Sequence, residues 1–167
     1  LIKLHLDFLN VLFSFLPVMR FYLIALGLVF SLCSPLAQEQ KLCPLMIEDE
    51  VDPEEFVEYK GKKIYMCCGS CVKKFNKDPD YYVKLTSNLL PQIEKSLLKK
   101  EVKLIDQKFC MVYADRVVSP KSYVHEHNGK KYYFWSSTAV RKFKAKPDFY
   151  IEKAKKNSNV KKLALKK

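Results

Sequence analysis

The chain repeats itself, and the repeat limits what it can become. Displaced by 68 positions, Gly61-Lys62-Lys63-Ile64-Tyr65-Met66 falls on Gly129-Lys130-Lys131-Tyr132-Tyr133-Phe134. Downstream, Val72-Lys73-Lys74-Phe75 meets Val140-Arg141-Lys142-Phe143, and Pro79-Asp80-Tyr81-Tyr82-Val83 meets Pro147-Asp148-Phe149-Tyr150-Ile151. Cys43 aligns with Cys110 after a one-residue change in length. The chain is therefore read as a tandem of two modules, at residues 42–83 and 108–152, each of about 42 residues. Units so short bury too little apolar surface to be stable without help such as a metal or disulfides.

The same elements are expected in each module. A Cys-bearing loop leads to a strand (56–59, then 123–127), a turn at Lys60-Gly61 or Asn128-Gly129, and a second strand, making a hairpin. A helix follows (70–76, then 137–144) that stops near a proline, and then a short helical turn around Tyr81-Tyr82 or Phe149-Tyr150. Between the modules, residues 84–107 carry Leu and Ile at helical intervals, broken once by Pro91, which predicts a connecting helix. The fold class expected is α+β: two small modules of Cys loop, β-hairpin and short helix, joined by a helical linker after an N-terminal hydrophobic segment.

That segment, residues 1–37, carries only Lys3, Asp7 and Arg20 as fixed charges. Arg20 and Pro17 interrupt a single spanning helix. Read from Met19 as initiator, however, it is a signal peptide: Met19-Arg20 as the positive start, residues 21–32 as the apolar stretch, and Ser34-Pro35-Leu36-Ala37 as the small-residue exit. The expectation is export to a periplasm or the cell exterior, with an uncleaved N-terminal anchor as the rival, because Pro35 is unfavourable for signal peptidase. Cys33 follows bulky Leu32 and is read as leader filler, not as a lipid attachment site.

The remaining cysteines carry the chemistry. In the first module Cys43 is followed 24 residues later by Cys67-Cys68-Gly69-Ser70-Cys71, at the junction of strand and helix. A thiol at a strand end and another on the first helical turn face one volume, and the hairpin returns the first loop to it. The start of the helix adds a field that favours thiolates. Three uses of these sulfurs compete. One is a site for a soft cation, Cu(I) or Zn(II), with Met46 and Met66 as nearby thioethers that tilt the choice towards Cu(I). The second is a disulfide framework, against which stand the odd number of cysteines beyond the leader and the poor pairing geometry of vicinal Cys67 and Cys68. The third is inert or redox-active thiols, though Cys68-Gly69-Ser70-Cys71 lacks a thioredoxin-like βαβ setting.

Cys43-Pro44-Leu45-Met46, the run from Gly61 through Met66-Cys67-Cys68-Gly69-Ser70-Cys71 to Phe75, and Asp78-Pro79-Asp80-Tyr81-Tyr82 together resemble a YHS/TRASH-type heavy-metal-binding module over residues 42–83. The resemblance implies a treble-clef-like fold whose cysteines, here Cys43, Cys67 and Cys71, bind a heavy-metal ion in trafficking, sensing or resistance. The spacing from Cys43 to Cys67 is slightly longer than the common pattern and Cys68 is additional, so either member of the vicinal pair can be the ligand. The second module is a degenerate copy. Trp135 and Ala139 stand where Cys67 and Cys71 stand in the first, and only Cys110 remains. The indole is expected to fill the core in place of an ion. His125 and His127, two apart on a strand, form a divergent site with Cys110 or are simply solvated.

Several function classes are excluded or disfavoured. With four glycines in the whole chain, no phosphate-cradling glycine-rich loop can be drawn. The net charge of +12 and the many aromatics invite a nucleic-acid reading. The aromatics instead recur at matched module positions, as packing of a repeated fold requires, and no nucleic-acid partner is expected. The lysine runs at 95–103 and in the basic tail at 153–167 read as solvated faces and a frayed end, with an anionic membrane surface as the functional alternative. Acidic Glu48-Asp49-Glu50 and Asp52-Pro53-Glu54-Glu55 read as a solvated loop, one carboxylate of which can complete a four-coordinate zinc site. No catalytic set of Ser, His and Asp or of paired carboxylates is visible, and no enzymatic activity is expected. The resulting expectation is an exported metal-binding protein, handing its ion to or from a metal-handling partner. The alternative is a disulfide-stapled, metal-free module that docks a membrane or an acidic protein.

Overall fold

A computed structural model describes residues 39–163; the leader and the last four residues, and the signal-peptide reading with them, lie outside the described residues. Among the described residues no helix is long and apolar enough to cross a membrane.

Each module is a two-stranded antiparallel hairpin followed by two short helices. In the first, β1 (Asp52–Tyr59) pairs with β2 (Lys62–Met66), and α1 (Gly69–Phe75) and α2 (Pro79–Leu85) follow. In the second, β3 (Tyr123–His127) pairs with β4 (Lys130–Phe134), followed by α3 (Ser137–Ala145) and α4 (Pro147–Lys155). Both hairpin turns have two residues at positive φ, Lys60 (49°) with Gly61 (75°) and Asn128 (50°) with Gly129 (70°). This is the left-handed pair that matches the twist of the flanking strands. The register places Tyr59 opposite Lys62 and His127 opposite Lys130, so Ile64 and Met66 face inward on β2 and Tyr132 and Phe134 on β4. β1 starts earlier than its sequence pattern predicts. A shift of register between Asp52 and Phe56 lets Asp52 pair with Met66 across a bulge.

One repeated device was not foreseen. The Gln40 side chain accepts from the Tyr65 N–H (3.0 Å) and donates to the Tyr65 carbonyl (2.7 Å). Gln107 does the same to Tyr133, at 3.0 and 2.6 Å. A side-chain amide thus stands in for a further strand at the free edge of each hairpin, satisfying backbone groups that would otherwise need water.

The expected connecting helix does not form. After α2 ends, residues 86–107 contain only 3-10 turns at Ser87–Leu89 and Lys95–Leu97. Pro91 has no N–H to give a helix and keeps Leu90 out of the helical region (φ −116°, ψ 75°). The apolar residues are used elsewhere: Leu90 and Ile93 are buried in the core. Lys84 replaces the missing helical hydrogen bonds, its Nζ donating to the carbonyls of Lys99, Lys100 and Val102 at 3.1, 2.8 and 2.8 Å. Nor is the basic tail frayed as far as Leu163. Asn157 and Asn159 donate to the Ala114 carbonyl, Asn159 also reaches Glu48, and Leu163 is buried.

The modules share a core and interlock through their Cys loops. Each loop closes on itself, Cys43 N–H to Asp49 carbonyl and Cys110 N–H to Arg116 carbonyl. The two loops then pair: Val117 N–H donates to Leu45 (2.8 Å), Ile47 N–H donates to Asp115 (3.1 Å), and Met46 and Arg116 form the bridge between them. Leu45, Ile47, Val117 and Val118 are essentially fully buried around this seam. Trp135 is buried, as a core filler should be, but it is clasped from the other module. Lys74 Nζ on α1 lies 4.4 Å from the centre of the indole ring and donates to the Trp135 carbonyl at 2.6 Å.

A shared core predicts shared unfolding. Leu45→Ala removes a fully buried side chain at the seam and should cost about 2–5 kcal/mol. Trp135 emission and far-ultraviolet circular dichroism should then fall in one transition at a lowered midpoint. Two separate transitions, with Trp135 unaffected by the first, would mean that the modules fold independently.

Candidate metal centre

Three remote stretches of backbone deliver the sulfurs. Cys43 sits in the closed loop before β1, Cys67 directly after β2, and Cys71 on the first turn of α1. Their Sγ atoms all lie within 4.8 Å of one another, with Cys67 and Cys71 at 3.6 Å. Cys43 and Cys71 are fully buried and Cys67 is half-buried. Thiolates held about 2.3 Å from one ion lie roughly 3.8–4.0 Å apart in a tetrahedral or trigonal arrangement. The Cys67–Cys71 edge is close to that spacing, and the group as a whole is compact enough to close on one soft cation. A disulfide would need sulfurs about 2.05 Å apart, and all five cysteines among the described residues are free thiols.

Two further sulfurs border the group. Met46 Sδ is 3.8 Å from Cys67 Sγ, and Cys68 Sγ is 3.8 Å from Cys67 and 3.7 Å from Cys71. Met46 is held by the bridge to Arg116 of the second module, so the partner loop fixes the backbone that carries the thioether. The second thioether named from the sequence, Met66, is buried in the hairpin core. No carboxylate among the described residues joins the thiol group. Glu48, from the acidic run, instead meets Asn159 and Lys162.

The thiols do not titrate alike. The neighbouring Cys71 thiol, with backbone N–H groups, outweighs burial and lowers Cys43 to about 6. The same pairing, followed by burial and the nearby Cys43 charge, pushes Cys71 upward. Burial and then the Cys43 charge push Cys67 upward as well. Burial acts to raise Cys68, but the Ser70 hydroxyl and the neighbouring cysteines together lower it. The thiolate-favouring field expected at the start of the helix therefore does not govern Cys67 or Cys71. In a dry cluster, desolvation and a neighbouring thiolate outweigh it.

The second module has no counterpart. Ala139 fills the position of Cys71, Cys110 is buried alone in its loop, and His125 and His127 pack edge-on against Phe143. Cys110 and the two histidines form no ligand group among the described residues.

Metal uptake must displace the protons that Cys67 and Cys71 retain at neutral pH. Apparent affinity should therefore rise with pH, by about a hundredfold per unit while two protons leave, and more steeply below the Cys43 value of about 6, where a third must go. Proton release on adding Cu(I) or Zn(II) to unbuffered protein measures this; uptake without proton release would show that thiols are not the ligands.

Comparison with known proteins returned no match: no family model, curated protein or solved structure aligns significantly with the chain. What the structure carries of the YHS/TRASH resemblance is the three-cysteine group that can bind a metal.

Proposed function

We propose that the chain is an exported metal-binding protein whose first module chelates one soft transition-metal ion, Cu(I) or Zn(II), for trafficking, sequestration or sensing. The observation that carries this reading is the approach of Cys43, Cys67 and Cys71 to within 4.8 Å as free, largely buried thiols. Soft sulfur donors select soft or borderline ions. The Met46 thioether, 3.8 Å from Cys67, favours Cu(I) over Zn(II), since zinc sites take thiolate, imidazole or carboxylate as the fourth ligand. The second module acts as scaffold: it buttresses the Cys43 loop and Met46 and holds no thiol cluster among its described residues. A catalytic role is not part of the proposal. The basic surface leaves room for an acidic or metal-handling partner, or for contact with an anionic membrane.

The test is elemental analysis of the purified chain combined with thiol alkylation. One equivalent of Cu or Zn is expected, with Cys43, Cys67 and Cys71 protected from alkylation. Cys67→Ser and Cys71→Ser should each weaken binding by more than about a hundredfold. Metal-free protein with these thiols joined in disulfides would support the stapled, metal-free interaction module instead.

A further inference from the structure

The thiols of the first module form two triangles on a common edge. The inner one is Cys43, Cys67 and Cys71. The outer one is Cys67, Cys68 and Cys71, with sides of 3.8, 3.7 and 3.6 Å. The outer triangle has the spacing of sulfurs around a single soft ion, the inner one closes to within 4.8 Å on every edge, and they differ only in the third corner. Cys43 is fully buried, whereas Cys68 is partly exposed.

The second module gives an independent reason to regard Cys68 as placed for its sulfur. Its counterpart is Ser136, the N-cap of α3, whose hydroxyl accepts from the Ala139 N–H at 3.2 Å. Cys68 occupies the same N-cap position before α1, with a similarly extended backbone (φ −171° against −152°), yet it makes no side-chain cap. Its Sγ lies 3.1 Å from the Ser70 hydroxyl and beside Cys67 and Cys71. A serine at this position stabilises a helix by capping it, and the first module forgoes that contribution for a thiol at the rim of the cluster.

We propose that Cys68 is the transfer ligand of the site. An arriving soft cation is gripped first by Cys67, Cys68 and Cys71 at the surface, then passes inward by exchanging Cys68 for Cys43, and leaves by the reverse route. This rests on the chelating role proposed above. In the exchange the bond from the ion to Cys68 Sγ breaks as the bond to Cys43 Sγ forms. Each sulfur supplies its own electron pair, the ion keeps its oxidation state, and any proton that Cys43 sheds passes to Cys68 or to water. Ser70 can donate a hydrogen bond to the Cys68 thiolate as it is released. Cys67 and Cys71 hold the ion throughout, so the inner site, whose distinguishing ligand Cys43 is fully buried, is filled and emptied without a bare ion.

The test separates affinity from rate. The full chain, loaded anaerobically with one equivalent of Cu(I), is mixed with excess bicinchoninate, whose colour reports transfer; equilibrium titration against the same chelator gives affinity. Cys68→Ser should keep affinity within about threefold of the parent and slow transfer by about tenfold or more. Cys43→Ser should lose affinity by more than about a hundredfold. Cys68→Ala, which cannot cap the helix, should slow transfer as Cys68→Ser does, separating the effect from helix stability. In the loaded parent, iodoacetamide should label Cys68 and spare Cys43, Cys67 and Cys71. Unchanged transfer in Cys68→Ser, a loss of affinity as large as that of Cys43→Ser, or uptake of a second equivalent would overturn the transfer role while leaving chelation standing. A parent that binds no Cu(I) would overturn both.

Discussion

Bringing Cys43 against Cys67 and Cys71 is the constraint on which the site depends. The latter two are near neighbours by local geometry, one leaving β2 and the other on the first turn of α1. Cys43 arrives from more than twenty residues upstream and must be held there. Its loop is closed by its own backbone and then pinned by the paired loop of the second module, with Leu45 and Ile47 sealed beneath. Ordering a loop costs about 1–2 kcal/mol per residue in lost backbone freedom. Burial at the seam between the modules offsets that cost before any ion is bound.

Seen this way, the two copies have divided their tasks. Both retain the hairpin turn, the glutamine clamp and the closed Cys loop. In the second, sulfur has given way to apolar and capping groups: Ala139 for Cys71, Ser136 for Cys68 and Trp135 for Cys67. The second copy abuts the first. Lys74 reaches across to Trp135, and the Arg116 backbone steadies Met46.

Much of this was legible in the residues. The repeat located both hairpins because Lys-Gly and Asn-Gly can adopt the left-handed turn that such hairpins need. The cysteine knuckle at a strand-to-helix junction put Cys67 and Cys71 on one volume. The linker misled because its Leu and Ile spacing reads equally well as a helix or as a series of anchors. Pro91 and the Lys84 ammonium, bonding three carbonyls, decide for anchors. The interlocked Cys loops and the ordered tail were invisible, since they rest on backbone pairing and on asparagine contacts across the module boundary, for which no local pattern exists. Gln40 and Gln107 did leave a signal: they recur at the same offset as Cys43 and Cys110.

X-ray absorption at the copper K edge of the Cu(I)-loaded chain tests the central claim most directly. Three sulfurs at about 2.3 Å, with any further neighbour also sulfur from Met46, are what this geometry requires. A first shell dominated by nitrogen or oxygen near 2.0 Å, or a sulfur shell that persists unchanged when Cys67 and Cys71 are both replaced by Ser, would contradict it.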